Sequence, residues 1–292
     1  MSERFFVERP VHGQRAVLTG AEAHHLAHVM RARPGDRVTL FDGTGVEFAA
    51  EIAGLRRDQV ELLVLECRHV DREVGFPLTL AAALPKGQRQ HWLVEKAVEL
   101  GVTHFVPLLC ARSVAKPTEH SLDRLRRVVI EASKQCGRNR LMQITPPQQC
   151  RQFCQSADSM ALRVIAHPQR SSTGQHAADN ATPEHAGRSP GATPVAQLGG
   201  GAIAGLAGTP ATRSVCAAVG GLPMQQPEAL PRQGFILAVG PEGGFTDEEV
   251  AFARQHGWHI VGLGSRTLRV ETACVMLVCW ALAAAGAALS FH

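Results

Sequence analysis

Two glycine-containing polar segments near the end of the chain have residue types suited to binding a small molecule. Residues 240–245 read Gly-Pro-Glu-Gly-Gly-Phe, and residues 263–273 read Leu-Gly-Ser-Arg-Thr-Leu-Arg-Val-Glu-Thr-Ala. Each follows an apolar, strand-like run and precedes a helix-like one. Glycine lets the backbone adopt positive φ and approach a ligand closely, and open α/β sheets bind ligands at the carboxyl ends of their strands. The two segments therefore predict a small-molecule pocket at one edge of a parallel sheet.

The common phosphate-binding loops do not match these segments. The chain contains no G-x-x-x-x-G-K-[ST] sequence, and residues 262–264 begin like the fingerprint G-x-G-x-x-G but have Thr267 in place of its third glycine. A single glycine cluster is more often only a turn into a helix. The second polar loop, Gly-Ser-Arg, favours a pocket over that simpler interpretation.

The composition is that of an ordinary, mildly basic globular protein. The chain has 292 residues, and 30 Lys and Arg against 26 Asp and Glu give a net charge of +4. This balance permits a nucleic-acid partner without indicating one. The eight cysteines form no C-x-x-C pair, and His24 and His25 lack further ligands at metal-site spacing. We therefore expect no metal, free thiols and a cytoplasmic location, since the first residues contain no apolar signal region.

The pattern of apolar residues changes near residue 75 and predicts two domains. Residues 1–73 contain short strand-like runs separated by Pro-Gly-Asp and Asp-Gly-Thr-Gly turns, with one helix over Ala21–Arg31, which is typical of a small β-barrel. Residues 77–292 alternate apolar runs with helical stripes, which is typical of a parallel α/β domain. Within it, residues 169–233 are rich in Ala, Gly, Pro, Ser, Thr and Gln, and we expect a disordered insertion there.

The segment Ala273–Leu289 contains no charged residue. It is shorter than the roughly 20 residues that span a bilayer. A helix that is apolar all round is either buried in protein or lies in a membrane. We expect burial, partly in a subunit interface, and no membrane association.

The two glycine segments together resemble the ribosomal RNA small subunit methyltransferase E family of the SPOUT superfamily. The residues that carry the resemblance are Gly240-Pro241-Glu242-Gly243-Gly244 and Leu263-Gly264-x-Arg266-x-Leu268-Arg269-x-Glu271-Thr272-Ala273. Further similar segments are Arg4-Phe5-Phe6, His24-His25-Leu26, Lys86-Gly87, Glu95–Val102 and Gln135–Arg140. The resemblance covers nearly everything except residues 169–233, which are the main departure from the family.

The resemblance implies an N-terminal PUA-like β-barrel and a C-terminal α/β domain with a parallel sheet and a trefoil knot. It also implies a homodimer that uses S-adenosylmethionine to methylate N3 of a uridine near the 3′ end of 16S rRNA, in the 30S subunit. The implied cofactor residues are Gly240, Pro241, Gly243, Gly244, Leu263, Gly264, Ser265, Leu268 and Arg269, together with His167 and Pro168.

Uridine N3 must lose a proton before it can accept a methyl group, and a cation near O2 or O4 would favour the anionic base. Arg269 is the leading candidate, and Arg138, delivered by the other subunit, is the second. Glu271 is a candidate base that could instead pair with an arginine or cap a helix.

RNA phosphates require basic side chains. The candidate RNA contacts are Arg4, Arg9, Arg31, Arg33, Lys86, Arg89, Arg112, Lys134, Arg138 and Arg140. Among these, we expect Gln135–Arg140 to expose three cations around a turn. Two rival interpretations remain: a nucleotide-binding metabolic enzyme, and a non-catalytic RNA-binding or ribosome-assembly protein.

Overall fold

A computed structural model describes residues 3–168 and 234–286 of the chain. These residues form two sheets, one of five strands and one of seven. The insertion expected at residues 169–233 lies outside the described residues.

The five-stranded sheet contains the N-terminal strands and curls into a half-barrel. Its order is β1-β3-β4-β5-β2, with β1 parallel to β3 and the other pairs antiparallel. Two register shifts between β4 and β5 bend these long strands. The sheet has these bounds: β1 Arg4–Phe6, β2 Arg15–Thr19, β3 Arg37–Phe41, β4 Val46–Leu55 and β5 Gln59–His69.

The helix predicted over Ala21–Arg31 is present, but its second half is wider than an α-helix. Helix α1, Gly20–His24, continues as a π-helical turn over His25–Val29, in which the Met30 amide donates to the His25 carbonyl at 3.1 Å. The turn is followed by Arg31 at φ 55°. Residue spacing alone does not distinguish a π-turn from an α-turn, because both bury Leu26 against the sheet.

The second sheet is entirely parallel, as its unbroken apolar runs predicted. Its main order is β12-β10-β11-β6-β7-β8, with β9 also paired to β7. The strands have these bounds: β6 Leu78–Ala82, β7 His104–Leu109, β8 Gln143–Ile144, β9 Gln148–Gln149, β10 Leu162–Ala166, β11 Phe235–Val239 and β12 His259–Val261.

Helices cover both faces of this sheet, and each face has its own buried apolar cluster. Residues of α2, α3 and α6 belong to one cluster, and residues of α4 and α5 belong to the other. The helix bounds are α2 Arg89–Glu99, α3 Glu119–Cys136, α4 Cys150–Ser156, α5 Asp247–Gln255 and α6 Val270–Ala284.

Helix α6 accounts for the described part of the uncharged C-terminal segment. One side of it is buried, including Leu277 and Ala281, whereas Met276 and Cys279 are exposed. Among the described residues, no helix is both long and apolar enough to cross a membrane.

Arg138 fastens the linker after β5 to the end of α2 instead of lying exposed on a turn. It is 3% exposed, forms an ion pair with Glu73 at 2.6 Å, and donates to the carbonyls of Val98 and Val102, both at 2.9 Å. The expectation of an exposed Arg138 is wrong. Gly137 ends α3 in the left-handed region, at φ 81°, and this reversal directs the next side chain inward.

One further arginine and one lysine from the candidate RNA set also serve contacts within the chain. Arg4 pairs with Glu47 at 2.8 Å and donates to Asn139 Oδ1 at 2.6 Å, while Arg72 adds a second ion pair to Glu47 at 3.1 Å. Lys134 pairs with Glu22 at 2.8 Å. The side chains of Arg4 and Lys134 are only 14% and 11% exposed. Both side chains are therefore engaged by carboxylates of the same chain.

We expect Arg138→Ala to destabilise the protein by about 3–5 kcal/mol, because it leaves the Glu73 carboxylate and two buried carbonyls without their donor. Urea denaturation with linear extrapolation measures this change. Arg124→Ala, on the exposed side of α3, is the matched control and should stay within about 0.5 kcal/mol of the parent. Equal midpoints for the two variants would contradict the assigned role of Arg138.

We expect the contact of Glu47 with Arg4 and Arg72 to be sensitive to acid. Burial alone would raise the pKa of its carboxyl, but the hydrogen bonds and charges of Arg4 and Arg72 outweigh burial and lower that pKa below 4.5. The stabilisation is therefore present above the unfolded-state value and is lost as the pH falls through the lower, folded-state value.

Between about pH 6 and about pH 3, Glu47→Gln should flatten the dependence of the unfolding free energy on pH. The destabilisation of Glu47→Gln relative to the parent should be largest at the upper end of this pH range. Glu8→Gln, which alters an exposed carboxylate, is the control. A Glu47 variant whose stability falls with acid as steeply as that of the parent would refute this account.

Candidate active site

Three loops meet at one end of the parallel sheet and line a cleft of about 100 Å³. They follow β10, β11 and β12, which are neighbours in the order β12-β10-β11 and run in the same direction. Eight residues of the predicted cofactor set line this cleft: His167, Pro168, Gly240, Pro241, Gly244, Leu263, Gly264 and Leu268. The structure therefore brings together segments that are about 70 and about 20 residues apart in the chain.

The first glycine loop is a tight turn pressed against the core. The Gly244 amide donates to the Pro241 carbonyl at 2.7 Å, and Gly244 has φ 69°. A Cβ at Gly240 would lie 2.9 Å from the ring of Phe245, which is 1% exposed. Glycine is thus required at 244 by its backbone angle and at 240 by close packing.

Helix α5 begins directly after this loop with a capping box. Thr246 Oγ1 accepts from the Glu249 amide at 3.2 Å, and Glu249 Oε2 accepts from the Thr246 amide at 2.9 Å. Glu249 is buried, and its other carboxylate oxygen accepts from the Ala111 amide at 2.9 Å. This one side chain therefore ties the end of the glycine loop to the loop after β7.

The second glycine loop presents more polar side chains to solvent. Gly264 has φ 98°, and Ser265, Arg266 and Arg269 are exposed. Of the predicted set, Gly243, Ser265 and Arg269 lie outside the cleft lining. Six further residues line the cleft without belonging to the predicted set: Ala166, Val239, Glu242, Arg266, Val270 and Ala273. Four of them are small or apolar and carry no chemical signal in the sequence.

Arg89 connects α2 to both glycine loops. Its guanidinium donates to Glu242 at 3.1 Å and lies 3.8 Å from the carboxylate of Glu271 in the first turn of α6. Glu271 is 7% exposed, and among the described residues its Oε2 accepts no hydrogen bond. Glu271 therefore lies against an arginine, which is the alternative to its role as a base. Arg89 connects the two glycine loops through Glu242 and Glu271.

The exposed cations form two groups, one in the second glycine loop and one elsewhere on the chain. Arg269, at the start of α6, and Arg266 lie in the second loop, and neither has an ion-pair partner among the residues the structure describes. Arg138 is buried against Glu73 and the end of α2 and belongs to neither group. The remaining exposed members of the candidate RNA set are Arg9, Arg31, Arg33, Lys86, Arg112 and Arg140. Of these, Arg112 donates to the Gly243 carbonyl at 2.7 Å.

The chain matches two family models. One, described as the RNA methyltransferase domain, matches residues 72–189 and 211–282, and the other, described as the RNA methyltransferase PUA domain, matches residues 18–65. Over 256 residues the chain is 32% identical to the ribosomal RNA small subunit methyltransferase E of Synechocystis sp., with 88% of this chain and 69% of that protein covered. The chain belongs to the ribosomal RNA small subunit methyltransferase E family.

Another relative and two solved structures agree with this membership. The family member of Bacillus subtilis is 28% identical over 261 residues, covering 88% of this chain and 85% of that protein. The ribosomal RNA small subunit methyltransferase E of Neisseria gonorrhoeae, solved with bound S-adenosyl methionine, has a TM-score of 0.71 at 25% identity and 96% coverage of each chain. A Legionella pneumophila protein solved with bound SAM has a TM-score of 0.72 at 27% identity, covering 97% of this chain and 98% of that one. The expected α/β fold and PUA-like domain are confirmed.

Gly240→Ala should destabilise the protein by about 1–3 kcal/mol, because the added methyl group overlaps the buried Phe245 ring. Gly243→Ala is the matched control in the same loop. Its Cβ would meet only the flexible Arg112 side chain, at 3.2 Å, and we expect a change within about 0.5 kcal/mol. Thermal and urea unfolding of both variants measure the difference, and similar losses would count against a packing requirement at 240.

Proposed function

We propose that the chain transfers a methyl group from S-adenosylmethionine to N3 of a uridine near the 3′ end of 16S rRNA, acting on the 30S subunit. The cleft formed by three loops at the ends of adjacent parallel strands carries this proposal. Two structural neighbours that cover nearly the whole chain bind the same cofactor. Membership of an RNA methyltransferase family supports RNA as the substrate class.

The residues of the cleft suit a cofactor held mainly by backbone groups and apolar contacts. Leu263, Leu268 and Val239 supply apolar surface, and the turns at 240–244 and 263–264 bring the backbone to the cleft. Its volume is below the roughly 300–1,000 Å³ of most ligand sites, so part of a bound cofactor would extend beyond these loops. When bound, S-adenosylmethionine supplies an activated methyl group from its sulfonium, which leaves the protein to provide position and electrostatics.

Arg269 is the proposed catalytic cation. It is exposed and begins α6 at the end of the second glycine loop. A guanidinium beside uridine O2 or O4 stabilises the ring after N3 loses its proton, and so makes N3 a better nucleophile. Glu271 is buried against Arg89, so we assign it the positioning of α6 and no proton transfer. Arg138 is dropped from the catalytic proposal because it forms four hydrogen bonds inside its own chain.

RNA binding is assigned to exposed cations of both parts of the chain. We propose that residues 1–73 form the RNA-binding domain and residues 77–292 the methyltransferase domain. The phosphate contacts would come from Arg9, Arg31, Arg33, Lys86, Arg112 and Arg140, all exposed. Arg4, Arg89, Lys134 and Arg138 leave this set because they form ion pairs within the chain.

A homodimer is also part of the proposal, as is the knotted path of the chain that the family resemblance implies. The side chains that support dimerisation are large, apolar and exposed on helices of one sheet face. Trp92 on α2 is 43% exposed and Met276 on α6 is 36% exposed, although the two helices pack against each other. Large exposed apolar side chains on two neighbouring helices are the feature that supports an interaction surface here.

Calorimetry with S-adenosylmethionine and mass spectrometry of 16S rRNA test the proposal together. The protein should bind the cofactor, and cells lacking the protein should lose one N3-methyluridine that the plasmid-borne gene restores. Arg269→Ala should reduce the methylation rate by about 10²–10³-fold while changing cofactor affinity little. Arg254→Ala, an exposed arginine at the end of α5, should keep the parental rate.

Two outcomes would overturn parts of this proposal. RNA binding without cofactor binding would indicate a non-catalytic RNA-binding protein. A full methylation rate in Arg269→Ala would contradict the catalytic role assigned to Arg269 but would not contradict the proposed reaction.

A further inference from the structure

Three cysteines and a glutamate that are distant in sequence meet on the sheet face opposite α6. Cys110 follows β7, Cys150 and Cys154 lie on α4, and Glu249 lies in the first turn of α5. All four residues are buried, and the three cysteines belong to one apolar cluster. This group is separate from the cleft and has no part in the proposed methyl transfer.

Backbone pairing places these ligand atoms close together. Leu109 of β7 pairs with Gln149 of β9 in parallel register. Cys110 and Cys150 are the next residues of these two neighbouring segments and therefore also lie side by side. The hydrogen bond from the Ala111 amide draws the Glu249 carboxylate to the same point. The two sulfurs and a carboxylate oxygen all lie within 4.8 Å of one another. Cys154 is one helical turn after Cys150, with its thiol beside that of Cys150.

The chemistry of this set favours a metal over simple apolar packing. A single buried cysteine behaves as a small apolar residue, but this group adds a buried carboxylate to three thiols. Thiolate sulfur selects Zn²⁺, Cu(I) or iron–sulfur clusters, and a closed site of four protein ligands is typical of structural zinc. Around zinc, sulfur ligands stand roughly 3.8 Å apart, so Cys110, Cys150 and Glu249, which lie within 4.8 Å of one another, need to approach by at most about 1 Å.

We propose that Cys110, Cys150, Cys154 and Glu249 form a structural zinc site. Each coordinating thiol loses its proton to solvent when the metal binds. The site differs from the expectation of no metal because Cys110 and Glu249 are far in sequence from the Cys150-x-x-x-Cys154 pair and are brought to it only by the fold. Its structural effect is to fasten α5, and with it the end of the glycine loop at 240–246, to the strand end of β7.

The metal content of the purified full-length protein tests this directly. Protein expressed with added zinc and purified under reducing conditions without chelator should contain about one Zn²⁺ per chain by elemental mass spectrometry. Removal by a strong chelator should lower the melting temperature by several degrees, and zinc should restore it. Replacement with Co²⁺ should give a sulfur-to-cobalt charge-transfer band whose intensity corresponds to three thiolates.

Variants assign the ligands. Cys150→Ser should abolish stoichiometric zinc, and Cys154→Ser should weaken zinc binding by at least about tenfold and reduce the cobalt band by one thiolate. Cys67→Ser and Cys279→Ser, at exposed cysteines elsewhere, are the matched controls and should retain one zinc. The wild-type measurement does not depend on whether any variant folds.

Three results would overturn the site. The first is wild-type protein without zinc that also takes up none when zinc is supplied. The second is full zinc content in Cys150→Ser, and the third is a Cys110–Cys150 disulfide in the freshly isolated protein by peptide mass mapping.

Discussion

The cleft depends on three strands ending at the same level of one sheet. Ala166 at the end of β10 pairs with Val239 on one side and with Val261 on the other. Since all three strands are parallel, the chain must leave each of them on the same edge, and the three loops become neighbours. A slip of one residue in either pairing would turn the last side chains of that strand to the opposite face. The pocket therefore depends first on the register of the three strands and then on the sequences of the loops that follow them.

The distribution of arginines follows from a competition between solvent and internal carboxylates. Arg4 and Arg138 have Glu47 and Glu73 within 3 Å, and their side chains are only 14% and 4% exposed. Arg266 and Arg269 follow Gly264, in a loop without an adjacent carboxylate partner among the described residues. A buried arginine that has an ion-pair partner cannot also neutralise a phosphate. Only the second group is thus available to a ligand, although the sequence shows the same residue type in both.

The sequence predicted most elements but not their side-chain partners. The apolar pattern predicted a parallel α/β domain over residues 77–292, because its strands and helices are buried on regular faces. It missed the short helix α4 and strand β1, which offer too few residues for a period to appear. It identified the glycine loops because positive φ requires glycine. It misplaced Arg138 because one left-handed residue, Gly137, decided which way that side chain points.

The loop after β7 links the proposed zinc ligands to the cleft through two polar contacts. The Arg112 side chain donates to the Gly243 carbonyl, and the preceding Ala111 amide donates to Glu249. Adjacent residues of one loop therefore hold both ends of the segment from 243 to 249, which forms the end of the glycine turn and the start of α5. Cys110 immediately precedes Ala111 and Arg112. A ligand bond to the sulfur of Cys110 would therefore also restrain the hydrogen bonds of these two residues to Glu249 and Gly243. The position of the first glycine loop therefore depends in part on the loop after β7, which does not line the cleft.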